Sequence, residues 1–71
     1  MKERIYGVSS KFEFNQWNHI IHIFENKEDA DEWLHTEQSD FRERELMSRT
    51  EAIKLVGIEA VEDAELFYEM N

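Results

Sequence analysis

Hydrophobic and polar positions change rhythm three times along this chain. The first stretch contains Arg4-Ile5-Tyr6-Gly7-Val8 and Lys11-Phe12-Glu13-Phe14, in which aromatic and aliphatic residues alternate with polar ones. A polar break, Asn15-Gln16-Trp17-Asn18, leads into His19-Ile20-Ile21-His22-Ile23-Phe24. Period-two segments on either side of a short break predict a β-hairpin. The run 19–24 is β-branched on both faces, as expected of a strand with little exposure. The first strand is more amphipathic and reads as nearer an edge.

After Phe24 the period lengthens to that of a helix. Asn26 suits the N-cap of a helix over 27–35, and the acids that follow complement the positive end of the helix dipole. Ala30, Trp33 and Leu34 stand at i, i+3 and i+4, one apolar stripe to lay on the sheet, with Glu28, Asp31 and Glu32 on the other side. Residues 36–40 form a polar connection. Phe41 to Met47 then alternates charge without a clean apolar face and reads as a short, charge-guarded edge strand, with a helix capped by Ser39 as the competing reading.

Ser48-Arg49-Thr50-Glu51 has the spacing of a capping box. It opens a helix over 49–56, which Gly57 stops. In the tail, helical spacing groups Ala60, Val61, Ala64, Phe67 and Tyr68, whereas strand spacing groups Ala64, Leu66, Tyr68 and Met70. Glu and Ala are poor strand formers, which favours helix for 58–63 or beyond, with a final strand over 64–70 as the alternative. The sum is an α+β fold in a single domain over 1–71: an N-terminal hairpin and a short third strand packed against two or three helices.

Composition adds a problem of coverage. A chain of 71 residues and 8.6 kDa buries only about 60% of its surface on folding, and the absence of cysteine removes any disulfide staple. Nine large rings, Tyr6, Phe12, Phe14, Trp17, Phe24, Trp33, Phe41, Phe67 and Tyr68, exceed what one small core encloses while leaving room for aliphatic side chains. Self-association is the expected remedy. The charge, 17 acidic against 8 basic groups for a net of −9, is uneven. Residues 1–24 carry 3 basic and 2 acidic groups, and residues 25–71 carry 5 basic and 15 acidic ones. Two copies are therefore expected to meet through the nearly neutral hairpin, with Phe12, Phe14 and Trp17 as contact residues, in a two-fold homodimer whose acidic helices face outward; for Trp17 taken alone, folding back on the core is the favoured alternative.

The acidity argues against direct nucleic-acid binding. No apolar run approaches the length of a membrane span, and Met1-Lys2-Glu3-Arg4 leads into no signal-peptide core, so no membrane association and a cytoplasmic location are expected. Catalysis is poorly supplied. There is no cysteine nucleophile, only Gly7 and Gly57 could serve a phosphate loop, and Ser9, Ser10, Ser39 and Ser48 have turn or cap roles. A non-enzyme without cofactor is expected. His19 and His22 with Glu25 have the residue types of a metal site, but positions separated by an odd number point to opposite faces of a strand, so no metal site is expected. The cluster Glu28-Asp29-Asp31-Glu32 lacks the alternating oxygens and central glycine of a calcium loop. On a helix it offers carboxylates about 5–6 Å apart, close to the phosphate spacing of a nucleic-acid strand. Glu28, Asp31 and Glu32, with Glu59, Glu62, Asp63 and Glu65 in the tail, are the candidate residues for binding a basic protein surface. The plain alternative is a solvated helix face.

In length, in the acidity of residues 25–71 and in helical acids such as Glu28, Asp31 and Glu32, the chain resembles small acidic proteins of phages and other mobile elements. That class includes anti-CRISPR inhibitors and DNA-mimic anti-restriction proteins. The resemblance implies action by binding: occupying a nucleic-acid-binding surface of a host defence protein or blocking its assembly, often as a dimer. Arg42, Arg44 and Arg49 interrupt the acidic tract and depart from a continuous DNA-like surface. The alternative is a small structural or regulatory homodimer whose acidity only confers solubility.

Overall fold

The computed structural model describes residues 3–36 and 43–70. Two strands, β1 (Ile5–Glu13) and β2 (Gln16–Phe24), are followed by α1 (Lys27–His35), β3 (Glu43–Met47), α2 (Arg49–Val56) and α3 (Ile58–Met70). The fold is α+β, with a three-stranded antiparallel sheet of order β2-β1-β3. β1 runs against β2 from Ile5↔Phe24 to Glu13↔Gln16, and against β3 from Tyr6↔Met47 to Ser10↔Glu43. Because β1 is antiparallel to both, β2 and β3 run parallel, and α1 crosses from one side of the sheet to the other.

Local signals explain most boundaries. Asn26 accepts a hydrogen bond from the Glu28 amide at 2.7 Å and starts α1. Ser48 and Glu51 close a reciprocal capping box at α2, whose end at Gly57 takes a φ of 95°, a backbone conformation that suits glycine. α3 then runs to Met70, so the strand alternative over 64–70 does not form. Arg44 and Met47 lie in a five-residue edge strand, as the charge alternation suggested. Ser39, Phe41 and Arg42 fall outside the described residues.

Neighbouring residues of β1 point to opposite faces, and each face has its own helical layer. Tyr6 packs with Ala52 of α2 and Val61 of α3, all buried, and Ile21, Ile23, Met47, Ile53 and Val56 surround them. On the other face Gly7 lies under the Trp33 ring of α1, which also meets the rings of His22 at 5.0 Å and Phe24 at 5.6 Å. Arg44 holds this layer from the third strand. Its guanidinium lies 5.0 Å from the centre of the Trp33 ring and donates to the carbonyl oxygens of Trp33 and Thr36 at the C-terminal end of α1. A cation there complements the helix dipole.

The lateral order of the strands reverses the expectation. β1 is the central strand, buried from Tyr6 to Ser9, and β2 is an edge. Ile21 and Ile23 lie beneath α3 while His22 and Phe24 lie beneath Trp33, so β2 is apolar on both faces because each face carries a helix. A two-faced apolar pattern reports layers above and below a strand and is silent about its sides. β1 reads as amphipathic because its small residues, Gly7 and Ser9, make room for α1.

The α1 layer carries a pH dependence. Burial pushes the His22 imidazole below its ordinary value of 6.5, and the Arg44 cation adds to the shift. The unfolded chain therefore binds a proton where the folded one does not, and stability falls as pH drops below about 6.5. In His22→Gln this contribution disappears. Urea midpoints at neutral and mildly acidic pH should show a smaller acid loss for the variant than for the parent, and equal losses would refute the assignment.

Candidate functional site

The described residues present three surfaces of interest: the hairpin tip, the helical carboxylates and a groove beside β2. At the tip, Phe14 and Asn15 form a two-residue turn with φ of 56° and 61°. Positive φ at both central positions is the requirement of a type I′ hairpin turn, where Asn is favoured. A bulky side chain is rarely found there, and the conformation costs about 1 kcal/mol or more. Phe14 is nonetheless 87% exposed, so no packing contact accounts for its presence. The break is thus shorter than Asn15–Asn18, and Trp17 lies on β2 opposite Phe12, their ring centres 5.5 Å apart. Both rings are more than half exposed: Trp17 does not fold back on the core. The three expected contact residues are grouped at one end of the sheet.

The seven candidate carboxylates do not form one surface. Glu28, Asp31 and Glu32 lie on α1, on one side of the sheet, and Glu59, Glu62, Asp63 and Glu65 lie on α3, on the other. Glu28 and Glu32 are exposed and Asp31 partly so, all turned away from the stripe of Ala30, Trp33 and Leu34. Glu59, Glu62 and Asp63 are exposed as well.

Glu65 is engaged internally. Arg49 donates to both of its oxygens, at 2.8 and 3.1 Å, and the Tyr6 hydroxyl donates to it from across the core. The Arg49 hydrogen bond chiefly holds the Glu65 carboxyl below its usual range, with the Tyr6 hydroxyl contributing, against the opposing effect of burial. Burial first, then the bond to this carboxylate, pushes the Tyr6 phenol up. A parallel set lies alongside: Arg4 pairs with Glu69 at 3.2 Å and sits over the Tyr68 ring, while the Tyr68 hydroxyl donates to Glu25. Tyr6 and Glu65 are 59 residues apart and Arg4 and Glu69 lie still further apart in the chain, and no spacing in the sequence announces them. All of them except Tyr68 line a cleft of about 670 Å³ that also includes Ser48 and Thr50. Both of its arginines already hold carboxylates.

The histidines diverge as strand parity requires. His19 shares a 2.6 Å hydrogen bond with Ser10 Oγ on the α2–α3 face, while His22 is under Trp33 on the α1 face. Among the described residues no group of three or more His, Asp or Glu side chains is placed to hold a metal ion, and no helix is long and apolar enough to cross a membrane.

The third surface had no counterpart in the sequence reading. A groove of about 880 Å³ runs between β2 and the second half of α3, floored by Ile20–Phe24 and walled by Ala64, Phe67 and Tyr68. Its charged groups, Arg4, Glu25 and Glu69, belong to the set above. The legible part of its signal was the nine-residue stretch Gln16–Phe24, which contains no Asp, Glu, Lys or Arg. Searches against protein-family models, curated proteins and solved structures find no match for this chain.

Proposed function

We propose that the protein is a non-catalytic binding protein that engages a basic surface of a partner protein through the outward carboxylates of α1, Glu28, Asp31 and Glu32. The observation that supports this reading is how the cations are used. Arg44 is drawn onto Trp33 and the end of α1, while Arg49 and Arg4 are committed to Glu65 and Glu69. Two of the basic residues that interrupt the acidic tract in sequence, Arg44 and Arg49, are therefore engaged within the fold, and the outer face of α1 keeps its negative charge. A partner surface that ordinarily binds nucleic acid has the complementary charge. The carboxylates of α3 face the other side of the sheet, so a single partner surface meets one set and not both.

Exposed charges act over about 8 Å at physiological ionic strength, so binding of this kind weakens with salt. Immobilised protein should capture its partner from a cell lysate at low salt and release it at high salt. The triple variant Glu28→Lys, Asp31→Lys, Glu32→Lys should capture none of it while keeping the parent circular dichroism spectrum. Capture that is indifferent to salt, or retained by the folded triple variant, overturns the reading. The second reading, a small structural or regulatory homodimer whose acidity only confers solubility, is favoured by one observation, the uncharged edge of β2.

A further inference from the structure

The two edges of the sheet are built differently. β3 is five residues long and carries Glu43, Arg44 and Glu45, charges that discourage pairing with another strand. β2 is nine residues long, about 30 Å of extended chain. It has no Pro, Gly or formally charged residue, in a chain in which 35% of residues are charged. Among the described residues nothing pairs with its outer side. An edge of this length and composition is one that proteins normally protect.

We propose that a second copy of this chain docks here, the two β2 strands pairing antiparallel about a two-fold axis to give a continuous six-stranded sheet. Charge selects this occupant. Two chains of net charge −9 repel wherever their acidic helices meet, and β2, which carries no formal charge, offers them a contact without that penalty. A basic partner, in contrast, has nothing to recognise on β2 and much to recognise on the helices.

The geometry of the pairing accounts for the exposed rings. Full antiparallel overlap of two Gln16–Phe24 strands sets Ile20 opposite Ile20 of the second copy, and Trp17 opposite Ile23. Trp17 and Ile23 are on the α2–α3 face, because their β1 partners Phe12 and Tyr6 are. The Trp17–Phe12 ring pair, which α2 and α3 of its own chain leave uncovered, is thereby brought to the open groove of the other copy, where Phe67 is 71% exposed. Each copy contributes a protruding aromatic pair and receives one.

The assembly and the acidic surface are separable: loss of the dimer leaves α1 intact, and charge reversal on α1 leaves β2 intact. Sedimentation equilibrium of the full chain from micromolar to submillimolar concentration should give twice the 8.6 kDa monomer mass. Ile20→Lys sets two ammonium groups against each other across the axis, at a side chain already 45% exposed, and should raise the dimer dissociation constant on the order of 100-fold. Phe67→Asp should weaken the dimer from the groove side. Leu66→Asp, on the same helix but outside the groove, should leave it intact. Hydrogen exchange distinguishes strand pairing from other contacts: all amides from Asn18 to Phe24 should be protected in the dimer, and only alternate ones in monomeric Ile20→Lys. A monomer at every concentration overturns the proposal. So does a dimer that folded Ile20→Lys leaves unchanged, or one in which the outer β2 amides exchange freely. If a peptide or foreign protein is found on β2 while the pure chain stays monomeric, the occupant is that partner and the proposal fails.

Discussion

Tyr6→Ala is expected to remove most of the stability of the chain. Tyr6 is 2% exposed and is the largest side chain in the cluster with Ala52 and Val61. Deleting a buried aromatic ring costs about 3–5 kcal/mol, against a total of about 4–10 kcal/mol for a domain of this length. The ring also joins layers: its edge fills the space beneath α2 and α3, and its hydroxyl reaches Glu65. Tyr6→Phe keeps the ring and loses only the hydrogen bond to a carboxylate, a cost of about 1–3 kcal/mol. Urea titrations should rank the midpoints as parent, Tyr6→Phe, then Tyr6→Ala, with the last partly unfolded without denaturant. A midpoint for Tyr6→Ala close to that of the parent would show that the ring does not organise the core. The same cluster sets an acid limb. With its carboxyl held below the ordinary value of 4.5, Glu65 contributes stability that is present above that value and lost as pH falls through the lowered one. Glu65→Gln should flatten this limb.

Gly7→Val should be nearly as damaging, for the opposite reason. A Cβ at position 7 would sit 2.6 Å from the Trp33 ring, far inside van der Waals contact. The ring cannot simply swing away, because His22, Phe24 and Arg44 all pack against it. Overpacking of this kind costs about 1–3 kcal/mol. Here it falls on the contact that seats α1. Loss of near-ultraviolet ellipticity from Trp33 at low denaturant, ahead of the main unfolding transition, is the expected signature. Pairing the substitution with Trp33→Ala should recover part of the loss, because the two side chains compete for one space. A fully stable Gly7→Val with an unchanged Trp33 signal would mean that α1 is not seated on this glycine. Positions 6 and 7 thus test the two helical layers separately.

The expected contact residues show where sequence reasoning reached and where it stopped. The nine rings and the neutral hairpin pointed to Phe12, Phe14 and Trp17 as exposed aromatic surface, and all three are exposed. Their placement was less legible. The polar residues 15–18 read as the break, whereas the turn is at Phe14–Asn15 and takes positive φ at a phenylalanine, which propensity disfavours. Among the carboxylates, periodicity put Glu28, Asp31 and Glu32 on the outer side of α1, where they are. Glu65 counts among the candidate acids of the tail on its charge and position alone, and neither identifies the groups a carboxylate will meet. Tyr6 and Arg49 meet Glu65 only after the sheet and the two helices have packed.

What the sequence determined by itself is local. The cap at Asn26, the capping box at Ser48 and Glu51, the glycine stop at Gly57 and the stripe of Ala30, Trp33 and Leu34 depend on residues within a turn or two of one another. Their energies do not wait for the rest of the chain. The tertiary structure decided the order of the strands, the destination of the arginines and which edge of the sheet was left open. Each depends on groups brought together from distant positions: Gly7 admitting Trp33, Arg44 reaching the end of α1, and α1 carrying the chain across β1 so that β3 takes the inner strand's free side. Alternation along β2 recorded a helix on each face. The bare edge lies in the plane of the sheet, in the direction of the backbone hydrogen bonds, where side-chain patterning carries no information.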